Sequence, residues 1–192
     1  MSRLDDAFAA IDAANGEDPN RVLDRGRERP AELVYGERMS AALARLYPEA
    51  SDALRLAARA QHIRRWRVPR SDYPADRAGY HRWRNDLKTR HAVWAGEILT
   101  ACGYSGGEIA RIGTLIRKEH LKSNSDAQAL EDVACLVFLE HYCAGFAAKH
   151  DAAKISEILR KTWAKMSEHG RQFALASDLP AEVRALIAHA LA

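Results

Sequence analysis

Apolar residues recur at three- and four-residue spacing along almost the whole chain, and no stretch of useful length alternates apolar with polar. That period lays one face of each segment along a helix and leaves little for a sheet to bury. Leu4, Phe8 and Ile11 form the first stripe, closed by the turn-rich run Asn15-Gly16-Glu17-Asp18-Pro19-Asn20. A polar connection from Arg21 to Pro30 leads to Leu33, Met39, Leu43 and Leu46, a second stripe stopped by Pro48. Ser51 suits the N-cap of a third helix holding Leu54, Leu56, Ala57 and Ile63. Pro69, Pro74 and Gly79 make residues 67–79 a structured loop. A long helix is predicted from about Tyr80 to Cys102, ending at Gly103. Ser105 with Glu108, and Ser125 with Gln128, have capping-box spacing ahead of Ile109–Ile116 and Leu130–Phe146. Ile155, Leu159, Trp163 and Met166 mark a further helix, and Pro180 begins the last. The pattern predicts an all-α, single-domain helical bundle over residues 1–192. An N-terminal helix and turn occupy 1–20, a core 31–150 and the C-terminal helices 151–192.

A chain of 192 residues suits one hydrophobic core. Hydrophobic residues make up 47% and charged ones 29%, which excludes a disordered tail. No apolar run approaches the roughly 20 residues of a spanning helix, so no membrane partner is expected. The acidic start MSRLDDAFAA lacks the apolar region of a signal peptide, and a cytoplasmic location follows. Cys102, Cys135 and Cys143 are odd in number and widely spaced, as free thiols of a reducing compartment would be.

Charge is concentrated rather than spread. Between His62 and His91 stand nine Arg or Lys against three Asp, while the rest of the chain is net negative. This segment holds Arg64, Arg65, Arg70, Arg77, Arg82 and Arg84, planar forks suited to phosphate or carboxylate oxygens. Lys118 and Lys122 extend the candidate anion set. Trp66, Tyr73, Tyr80 and Trp83 could stack on a base or on the arginines, and the two tryptophans could instead be core.

The blocks NGEDPN, QHIRRWRVPRSDYPADRAGYHRWR, LEDVACLVFLE and KTWAKMS, taken together, resemble the family called domain of unknown function 4202. That resemblance names no activity. A more distant one is to the HD phosphohydrolase superfamily, all-helical enzymes that hold one or two metal ions through a His, a His-Asp doublet and a later Asp. LRLAARAQHIRRW is similar to the doublet helix and LEDVACLVF to the helix with the final acid, which makes residues 31–150 the HD-like core. The resemblance implies His62 as doublet histidine, His91 as accessory histidine and Asp132 as the late acid. Glu119 or His120 falls near a second accessory position, and the helix with Tyr35 and Glu37 should bear the first ligand. The doublet here is His62-Ile63, and the first-ligand helix has no histidine.

Two readings follow. In one, His62, Asp132 and Glu37 are catalytic in a metal-assisted phosphohydrolase acting on a small nucleotide or phosphate ester. His62, His91 and Asp132 then hold a divalent ion (Mn, Mg, Co, Fe or Zn) that activates water. In the other, the domain is catalytically inactive and binds an anion, a small phosphorylated ligand before RNA. A third use of the basic segment is scaffolding, with Arg77, Arg82 and Arg84 paired to Asp72, Asp76, Asp86 and Glu131. The C-terminal amphipathic helix either covers the core or forms the seam of a homo-oligomer. Lys165-Met166-Ser167 is similar to part of the lysine loop of class I aminoacyl-tRNA synthetases, but the strands and glycine-rich turn of that fold are missing.

Overall fold

Residues 2–121 and 123–192 are described by the computed structural model, so Lys122 lies outside the described residues. The elements run α1 (Arg3–Gly16), β1 (Arg21–Asp24), β2 (Arg27–Pro30), α2 (Ala31–Leu46), α3 (Asp52–Arg59), α4 (Arg77–Ala101) and α5 (Gly106–Arg117). They continue with α6 (Ser125–His141), α7 (Cys143–Ala147), α8 (Ala152–Lys165), α9 (Glu168–Ala176) and α10 (Ala181–Leu191). The fold is an all-α single-domain bundle.

Local chemistry sets most helix starts. Ser2 with Asp5 and Ser105 with Glu108 close capping boxes, and Ser51, Asp76 and Asp151 accept from backbone N–H groups in the first turns of α3, α4 and α8. The cap of α6 is Asn124, not Ser125: its side-chain oxygen accepts from the N–H groups of Asp126 and Ala127. Gln128 instead donates to Asp132 and to the Lys165 carbonyl. α3 stops at Arg59, so Ile63 is buried in a turn beyond the helix and not within it. α9, capped by Ser167, was not separable by periodicity from the helix before it.

The connection from Arg21 to Pro30 is an antiparallel hairpin, with Val22 opposite Arg29 and Asp24 opposite Arg27. Arg25 and Gly26 both have positive φ, the turn that matches strand twist across a two-residue loop. Strands this short and polar carry no alternation to read. Asp24 holds the hairpin onto α2 by accepting from Arg29 and Arg38 at 3.1 and 3.0 Å.

α6 lies at the centre, packed against α2, α3, α5, α8 and α9. Its Leu130, Leu136 and Leu139 share one core with Ile11, Met39, Leu43, Leu56, Leu99 and Ile116, all essentially without solvent contact. Among the described residues no helix is long and apolar enough to cross a membrane.

Candidate functional site

Four chain segments bring polar side chains to one cleft. The first turn of α2 supplies Glu32 and Tyr35, three residues apart and therefore on one face. The turn after α3 supplies Gln61, His62 and Arg65. Arg84, Leu87, Lys88 and His91 follow the i, i+3, i+4, i+7 spacing of a single helix face on α4. Lys118, in left-handed backbone at the C-cap of α5, completes the wall.

His62 stacks on Tyr35, with ring centroids 3.9 Å apart and planes within 7°. Its Nδ1 lies 3.3 Å from Glu32 Oε2, and its Nε2 lies 3.5 Å from Arg65 Nη1. Arg65 also sits 3.9 Å from Glu32 and over the ring of Trp83, whose indole N–H donates to the Val68 carbonyl. Burial pushes the Glu32 carboxyl up to about 8; Arg65 opposes that shift and Asp18 adds to it. Burial, then Arg65 and Lys118, hold His62 well below its ordinary value. Both shifts favour the neutral form of the pair. His91 is 5.9 Å from His62 between ring centroids, and burial, then His62 and Arg65, lower it in the same sense.

Arg65, Arg84, Lys88 and Lys118 line this compartment. Burial and the neighbouring Arg84 and Lys118 lower Lys88 below its ordinary value, the expected sign where cations crowd without enough counter-charge. Lys118 is partly balanced: it donates to Glu131, which Lys165 also approaches at 3.9 Å. Burial raises Glu131, but Lys118 and Lys165 outweigh it and hold the carboxylate below its usual range. Two buried polar atoms on the lining residues, Gln61 Oε1 and His91 Nε2, have no partner.

Support comes from segments distant in sequence. Asn15 Oδ1 accepts from the Arg64 N–H at 3.1 Å, fixing the turn that carries His62 and Arg65. Asp18 is buried and accepts from the N–H groups of Asn20 and Glu32, which fixes the start of α2. Both acceptors belong to the NGEDPN block.

The expected metal-ligand set does not assemble. Asp132 is fully buried, and it accepts from Tyr47 Oη at 2.6 Å, the Ser167 N–H at 2.7 Å, the Ser167 hydroxyl and Gln128 Nε2. Its carboxylate is the anchor of the α9 start. Glu37 is paired with Arg29 beside the hairpin at 2.6 Å. Glu119 pairs with Arg117, and His120 is exposed. Only His62 and His91 share the cleft, ringed by four cations. Among the described residues no group of three or more His, Cys, Asp or Glu is placed to hold a metal ion. The residues present do not fit an HD-type ion.

Of the anion candidates, Arg65, Arg84 and Lys118 line the cleft. Arg70 knots the loop by donating to the carbonyls of Tyr73, Pro74 and Asp76. Arg64 contributes its backbone, and Arg77 and Arg82 are exposed on the first turns of α4. The acids expected to pair with the arginines are engaged elsewhere: Asp86 accepts from Tyr73 Oη, Asp76 caps α4, and Glu131 takes lysines. Glu32, Gln61 and Lys88 were not singled out by sequence. Lys88 was findable from its spacing to Arg84 and His91; Glu32 only from its place three residues before Tyr35. No curated protein and no solved structure matches the chain. A family model described as a domain of unknown function, DUF4202, matches residues 5–187, and the chain belongs to that family.

Proposed function

We propose that the chain binds a small phosphorylated anion in this cleft. The observation that carries the reading is the convergence of Arg65, Arg84, Lys88 and Lys118 on one pocket, with Glu131 the carboxylate on Lys118 and burial raising the Glu32 carboxyl beside Arg65 to about 8. Charged donors held in a partly desolvated wall are the strong partners of phosphate oxygens. The unpartnered Gln61 Oε1 and His91 Nε2 are further polar atoms of the same lining. Isothermal titration of the full chain with inorganic phosphate, pyrophosphate and adenosine monophosphate at low salt tests it. Arg84 is exposed, donates to Tyr80 Oη and has no carboxylate partner among the described residues, so Arg84→Ala should weaken binding by about tenfold with little change in melting temperature. Absence of binding by all three anions would overturn the proposal. Binding confined to a single-stranded RNA, falling steeply with salt, would replace the small anion by RNA.

A second reading, hydrolysis of a phosphate ester, is favoured by the Glu32–His62 contact. A carboxyl and an imidazole in hydrogen-bond reach beside an anion site suit general acid–base work. The resemblance of the helical order to HD phosphohydrolases points the same way, with Asp132 and Glu37 removed from the working set. A phosphatase and nucleotidase panel, run with and without Mn²⁺, Mg²⁺ or Co²⁺, separates the two readings. Turnover that His62→Ala abolishes makes the site catalytic; phosphate binding without turnover makes it a binding site.

A further inference from the structure

The cationic compartment adjoins a second cavity of different chemistry. Tyr35, His62 and Arg65 line both, so the two lie side by side across these three side chains. The second part is about 350 Å³, at the small end of the range for organic ligands. Its remaining walls are Val22, Ala31, Glu32, Ala134, Phe138 and Tyr142. Val22 comes from the hairpin, which roofs the cavity, and Ala134 and Phe138 occupy one face of α6. Tyr35 and Tyr142 are 6.0 Å apart with planes inclined at 52°, so aromatic faces and edges bound the space. Among the described residues no Lys lines it, and its one guanidinium, Arg65, also lines the first compartment.

We propose that the cleft takes a phosphate monoester whose organic part is a flat, apolar ring system. The phosphate lies among Arg65, Arg84, Lys88 and Lys118, and the ring between Tyr35, Phe138 and Tyr142 beneath Val22. The inference rests on the anion site proposed above and adds the identity of the ligand's other half. An aliphatic phosphate would leave the aromatic cavity to water, and an uncharged arene would leave the cations without an anion. Glu32 lines the second cavity in contact with His62 and Arg65, where its carboxyl is able to meet one heteroatom of the ring. Apolar contact area, not further charge, then decides between phosphate esters.

Titration calorimetry with methyl phosphate, 1-naphthyl phosphate and 1-naphthol tests this on the full chain. The naphthyl ester is expected to bind at least about tenfold tighter than methyl phosphate, and naphthol at least about tenfold more weakly than its ester. Ala134→Trp, which fills the second cavity from α6, should erase the naphthyl preference and leave methyl phosphate binding intact. Val22→Trp does the same from the hairpin, where a large aromatic side chain suits a strand. Equal affinity of wild type for the two esters overturns the two-part ligand while leaving the anion site standing. Failure of every phosphate to bind overturns the anion site itself. Release of fluorescent naphthol during the titration would report hydrolysis at the same time.

Discussion

Replacing Glu32 by Gln should stabilise the protein, and by an amount that depends on pH. In the fold the carboxyl releases its proton only at about pH 8, against 4.5 for an ordinary glutamate. Between those values the folded chain binds more protons than the unfolded one, so stability falls as pH rises through the interval. The reason is physical: the unfolded carboxylate is free to ionise in water, while the folded one, with only 15% of its side chain exposed, must stay neutral or be charged without solvation. From 4.5 to about pH 7 the difference is about 2.5 pH units, each worth about 1.4 kcal/mol, or about 3 kcal/mol in all. Glutamine has the same shape, keeps an acceptor for the His62 Nδ1–H, whose Nε2 faces the Arg65 donor, and does not titrate. Glu32→Gln should therefore raise stability by about 3 kcal/mol near pH 7 and change it little near pH 4. In a chain of this size that is roughly 6–12 °C in melting temperature. Thermal melts of wild type and variant at matched pH values give the difference directly, since every other titrating group cancels. A variant that melts at or below wild type near pH 7, or a difference that does not vary between about pH 4 and 8, would refute the reasoning.

The same ionisation should be visible in binding. As pH rises through about 8, Glu32 gains a negative charge beside His62 and Arg65, so from about pH 7 to 9.5 affinity for methyl phosphate, read by calorimetry, should fall more steeply in wild type than in Glu32→Gln, where the lowered Lys88 is left to titrate. Asp132→Ala should destabilise the fold by about 3–5 kcal/mol in urea denaturation, because Tyr47, Gln128 and both donors of Ser167 lose a buried carboxylate acceptor; stability near that of wild type would mean that α9 is anchored otherwise. Gly170→Ala should reproduce part of that loss, since its Cβ would stand 2.7 Å from Asp132 Cγ. Gly79→Ala should cost about 1–3 kcal/mol by the same assay, because the added methyl group would overlap the Pro74 carbonyl and push the loop from the start of α4.

The helices were legible because burial on one face leaves a period in the sequence, and so was the cationic half of the cleft. His62, Arg65, Arg84 and His91 fall within a thirty-residue segment, dense enough to be noticed before any fold is known. Asp132 and Glu32 show what sequence cannot sort. Each is an acid in the first half of a helix with apolar neighbours, and only tertiary partners separate them. Asp132 receives donors from residues 35 and 85 positions away, which make it a hydrogen-bonded anchor. Glu32 receives too little, and desolvation keeps its proton on. The four blocks that carry the family resemblance then read as one construction. NGEDPN supplies Asn15 and Asp18, which hold the Arg64 and Glu32 backbones. The basic block supplies His62, Arg65 and Arg84, and Lys88 and His91 follow on the same helix. LEDVACLVFLE supplies Glu131, which positions Lys118, and Asp132, which positions Ser167. KTWAKMS returns Lys165 to Glu131 and Ser167 to Asp132. Residues scattered from 15 to 167 are thus joined through the wall and the brackets of a single cleft, which is why no one block, read alone, looks like a site.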